Sequence, residues 1–85
     1  ELATRVAAVA REYKLSTREE EVLLLLGQRK TVGIIERELF IANGTAKAHV
    51  RHIYQKLDIH SRQELFVMLG VETDQESSEQ ASAPS

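Results

Sequence analysis

The chain has no cysteine. No disulfide can staple it and no thiolate zinc site can form, so 85 residues must be held by one small apolar core. No apolar run approaches the roughly 20 residues that span a bilayer. There is no strand-like alternation, no internal repeat and no recognisable signal peptide. The first residue is Glu rather than Met, as expected of a fragment of a longer protein. One more absence is local: between Asn43 and Leu57 there is no acid at all.

That last absence matters because the overall charge points the other way. The formal net charge is −2, from 11 basic and 13 acidic residues. The stretch 71–85 holds Glu72, Asp74, Glu76 and Glu79 and no base, so the rest of the chain carries +2. From Leu26 to Arg62 the bases Arg29, Lys30, Arg37, Lys47, Arg51, Lys56 and Arg62 face only Glu36, Glu38 and Asp58, a local +4. A polyanion meets that local surface rather than the whole-chain average.

The apolar spacing is helical throughout. Leu2, Val6, Val9 and Tyr13 recur at i, i+4, i+7 and i+11, predicting an amphipathic helix in residues 1–14 that docks on the domain or links it to an upstream partner. Ser16-Thr17-Arg18-Glu19 fits a capping box, followed by Val22, Leu23, Leu25 and Leu26 as the apolar face. The run Glu19-Glu20-Glu21 suits the positive end of that helix. Gly27 and Gln28-Arg29-Lys30 end it. Thr31 is placed to cap a short third helix with Val32, Ile35 and Leu39 inward, and Phe40-Ile41-Ala42 reads as a brief turn.

The next helix, about 43–57, carries two faces. Ala46, Val50, Ile53 and Leu57 draw an apolar stripe, while Lys47 and Arg51 lie at i and i+4 on a neighbouring face with Ala48 between them. Asp58-Ile59-His60 breaks the chain, and Ser61-Arg62-Gln63-Glu64 fits a second capping box. Leu65, Met68 and Leu69 share one face of the last helix, with Phe66 and Val67 off it. The Ser-, Gln- and Glu-rich residues 72–85 have too little apolar surface to offset ordering entropy, and a disordered acidic tail is expected there. The expected fold class is all-α: a four-helix helix-turn-helix domain at 15–71 with an additional N-terminal helix. Two short helices joined by a tight turn, the second basic on its outer face, suit docking in the major groove.

The ordered motifs Leu15 to Leu23, Ile35 to Leu39, Ile41 to His49, Lys56-Leu57 and Ser61 to Leu65 resemble the LuxR/FixJ-type (GerE-like) DNA-binding domain of bacterial transcription regulators. The resemblance spans residues 15 to about 69. It implies the output domain of a larger regulator, cytoplasmic although the upstream part could be membrane-bound, that binds double-stranded DNA at inverted repeats as a weak homodimer through the last helix or the upstream domain. By position it implies base contacts from Lys47, Ala48 and Arg51. It implies backbone contacts from Thr45, His49, Lys56 and Arg62, to which the local charge adds Arg29 and Lys30. Phe66 and Val67 are expected either beneath the N-terminal helix or in a small dimer contact. Five departures bear on stability, among them Ala46 in place of a larger Val. Ala42 replaces a capping Ser, so that Asn43 is expected to cap instead. Arg29 and Asp58 replace Gly. Glu36 replaces a small residue and must turn outward or find a partner.

Other chemistries fit less well. His49 and His52 are i, i+3, but no acid lies within a turn of both, so neither a metal site nor a cofactor is expected. Thr45 and Ser61 sit at helix starts without a relay partner, so no enzymatic activity is expected. The alternatives are a degenerate helix-turn-helix that binds protein, and a sigma-factor-like DNA-binding region.

Overall fold

The structure is a computed structural model that describes residues 1–71; the expected acidic tail lies outside the described residues. Among the described residues the chain is all-helical: α1 (Leu2–Glu12), α2 (Thr17–Gly27), α3 (Val32–Leu39), α4 (Asn43–Leu57) and α5 (Arg62–Leu69). Local chemistry sets the starts. Ser16 Oγ accepts from the Glu19 N–H at 3.1 Å and Glu19 Oε1 accepts from the Ser16 N–H at 2.9 Å, the reciprocal capping box that the sequence predicts. Thr31 Oγ1 accepts from the Ile34 N–H at 3.2 Å and opens α3. At α5 the box is only half formed. Ser61 Oγ accepts from the Glu64 N–H, but the Glu64 carboxylate reaches back to the His60 N–H instead of that of Ser61.

The core runs through all five helices, with Val22, Leu23, Leu26, Ile35, Ile53 and Leu65 fully buried. α2 is the central element, packed against α1, α4 and α5, while α3 packs on α4. α1 buries Val6, Val9 and Ala10 against this body, so the N-terminal helix is docked. Gly27 lies at the closest approach: an added Cβ would come within 3.0 Å of Leu69 Cδ1 and 3.2 Å of Leu2 Cδ1. The α3–α4 pair is joined by three residues, and Phe40 makes the bend in the left-handed region at φ 56°.

Of the two expectations for Phe66, burial favours the one that places it inside the domain. It is buried, with the Arg29 guanidinium 5.0 Å and that of Arg62 5.7 Å from the ring centroid, and so is unavailable as a dimer contact. An eight-residue helix that touches both α1 and α2 buries a wider arc than the stripe of Leu65, Met68 and Leu69 suggests. Val67 is 62% exposed.

Candidate nucleic-acid interface

α4 is seated as its spacing predicts: Ala46, Ile53 and Leu57 are buried and Val50 is half-buried. The outer face is left to Thr45, Lys47 and Arg51, all exposed, with Ala48 and His49 half-buried beside them. Among the described residues Lys47 and Arg51 have no hydrogen-bond or ion-pair partner, so both heads are available to an incoming anion. They border an open cleft of about 570 Å³ that runs past Val50 and Tyr54 to the turn at Ile59 and His60.

The N-terminus of α4 is built differently from expectation. Ala42 is the N-cap, with no side-chain cap, and Asn43 is already the first helical residue. Asn43 does not cap because it is already inside the helix; its amide Nδ2 donates instead to Glu36 Oε2 across the turn. This bond also gives Glu36, half-buried on α3, the partner that its position demanded. The missing cap leaves room for improvement. Ala42→Ser is expected to stabilise the domain by about 1 kcal/mol, a rise of roughly 4–8 °C in the melting midpoint, read by circular dichroism. At the other end Asp58 adopts the left-handed conformation (φ 56°) that the Gly it replaces would take without strain.

The other four cations expected at the DNA backbone, Arg29, Lys30, Lys56 and Arg62, are engaged within the protein. Lys56 Nζ lies 2.8 Å from Glu19 Oε1 and 3.3 Å from the Lys14 carbonyl, tying the last turn of α4 to the start of α2. Glu19 is the one buried charged residue of the described part, and His52 Nδ1 stands 3.9 Å from its other oxygen. Lys30 pairs with Glu38 at 2.8 Å. Arg62 donates to the Leu26 carbonyl at 3.3 Å and to that of Lys30. Arg29 sits in the left-handed region (φ 68°) over Phe66. These partners lie 8 to 42 residues away in sequence, which periodicity cannot reveal. The three histidines do not converge: His49 is on the outer side of α4, His52 faces Glu19, and His60 precedes α5.

Glu19 makes part of the stability acid-sensitive. Burial pushes its carboxyl up, but the bonds from Lys56 and Ser16 together outweigh this and hold it below its ordinary value of 4.5. A depressed folded-state pKa gives stability that is full above the unfolded value and lost as pH falls through the folded one. Glu19→Gln keeps a capping acceptor but removes that titration. Urea unfolding of this variant is therefore expected to vary less with pH below about 4.5 than that of the parent.

Residues 13–69 match the family described as bacterial regulatory proteins, luxR family. The chain belongs to the LuxR family. Its α3–α4 pair is that family's helix-turn-helix, the DNA-binding part of a transcription regulator. Among relatives, the Bacillus subtilis spore germination protein GerE is 42% identical over 55 residues, covering 65% of this chain and 74% of its own. The probable transcriptional regulatory protein NarL of Mycobacterium tuberculosis is 39% identical over 62 residues, covering 73% of this chain and 28% of its own. The transcriptional regulatory protein LiaR of B. subtilis is 44% identical over 48 residues, covering 56% of this chain and 23% of its own. The chain thus spans only about a quarter of most of these relatives, GerE excepted. No solved structure matches at a comparable level of significance. No helix among the described residues is long and apolar enough to cross a membrane.

Proposed function

We propose that the chain reads specific sequences of double-stranded DNA by seating α4 in the major groove, with Lys47, Ala48 and Arg51 toward the bases. The observation that carries this reading is the pair of exposed, unpartnered cations one turn apart on a helix without acids. Arg51 suits bidentate contact with guanine O6 and N7, Lys47 a guanine or a phosphate, and Ala48 a thymine methyl. Thr45 and His49 flank the same face and suit phosphate oxygens. Arg29 and Lys30, before α3, add positive field near the backbone. Lys56 and Arg62 serve the docking indirectly, their head groups holding α4 and the α2–α3 connection in place.

The target is an inverted repeat bound by two copies, with exposed Val67 on α5 as the remaining candidate for a small contact between them. The domain serves as the output end of a longer cytoplasmic regulator, a reading supported by relatives such as NarL and LiaR that extend well beyond the matched region. A gel shift at low salt tests the reading. Binding to random duplex that weakens linearly in log–log terms as salt rises is the expected result. A chain folded by circular dichroism that shifts no duplex would point to a protein partner instead.

A further inference from the structure

Asn43 lies on the side of α4 that carries the two cations and is bonded to Glu36 of α3, yet neither has a part in the reading above. We propose that Asn43, held by Glu36, is a further base-reading residue and that the base it reads is adenine. This rests on the proposed docking of α4. Asn43 is exposed and precedes Lys47 by four residues and Arg51 by eight, so the three form one stripe that drifts by about 40° per step. Residues at the N-terminal end of a recognition helix are the ones that reach base edges.

The chemistry of the pair fixes what Asn43 can present. An ionised carboxylate only accepts, so the amide nitrogen and not its oxygen faces Glu36 Oε2. That bond uses one N–H and prevents the amide from flipping. With Glu36 taking the N–H trans to the amide oxygen, the other N–H and that oxygen stand side by side, a donor next to an acceptor. Adenine offers the complement in the major groove, N7 as acceptor and the N6 amino group as donor. Glu36 by itself would oppose a polyanion; bonded to Asn43 it becomes a positioning residue for the base reader.

The test puts the parent and Asn43→Ala chains through selection from one random duplex library. The parent is expected to enrich a half-site containing an adenine next to the positions read by Lys47 and Arg51. Asn43→Ala is expected to lose that preference by roughly 5- to 150-fold, the range of a bidentate contact, and to keep the others. Glu36→Ala leaves the reader in place but frees its amide; it should weaken the same position and raise affinity for scrambled duplex. If Asn43→Ala enriches the parental half-site at unchanged strength everywhere, the inference fails while the docking of α4 stands. A lost position that is not adenine overturns the base assignment. A folded parent that enriches nothing overturns both.

Discussion

Arg51→Ala is expected to lower discrimination between the selected duplex and one altered at a single base pair by roughly 5- to 150-fold, with little change in folding. The size follows from the contact: a guanidinium fork on one guanine is worth about 1–3 kcal/mol against the wrong base. The small cost to folding follows from the structure. Arg51 is exposed, has no partner among the described residues, and lies mid-helix where alanine is a favourable replacement. Affinity for scrambled duplex should fall far less, because phosphate contacts there are shared among several cations. Competition binding with base-substituted duplexes reads this directly. Equal loss on specific and scrambled duplexes would reassign Arg51 to the backbone. No loss on either would mean that the wrong face of α4 has been chosen.

Arg62→Ala produces the opposite pattern, a large loss of stability with the salt dependence of binding intact. The Arg62 guanidinium bonds the Leu26 and Lys30 carbonyls and lies over the buried Phe66 ring, joining the first turn of α5 to the connection from which α3 starts. Both bonds leave one nitrogen, Nη2, and Nε is buried without a partner among the described residues. Hydrogen bonds from a charged donor contribute about 1.5–3 kcal/mol and the stacked cation about 0.5–2 kcal/mol. A loss of about 2–4 kcal/mol, or roughly 10–25 °C in the melting midpoint, is therefore expected. Lysine should restore only part of it, since an ammonium lacks the flat guanidinium face that lies over Phe66. If Arg62 instead met a phosphate, its removal would reduce the salt slope by about one while leaving the melting midpoint nearly unchanged.

The contrast between Arg51 and Arg62 shows what the sequence could tell. The apolar stripe Ala46, Val50, Ile53 and Leu57 and the adjacent cations are both set by helical period, so α4 and its outer face were legible from spacing alone. Capping at Ser16 and Thr31 was legible because it is settled within three residues. Which cations would turn inward was not. Lys56 and Arg62 find their partners 37 and 36 residues away, at places fixed only when α2 packs on α4 and α5. Asn43 was misread as a cap because the helix starts from Ala42, one residue earlier, and its amide N–H turns to Glu36, seven residues back. Phe66 was left open between burial and a dimer contact because a narrow stripe underestimates burial on a short helix with neighbours on two sides. The resemblance to the family places residues in a groove by position, and the folded structure then separates those with available heads from those engaged within the protein.

The central claim is that DNA meets the outer face of α4. Chemical shifts of the chain, followed while the selected duplex is titrated in, test it most directly. The largest changes are expected at Asn43, Thr45, Lys47, Ala48 and Arg51, with α1 nearly still. Changes concentrated on α1, with Lys47 and Arg51 unmoved, would contradict the account.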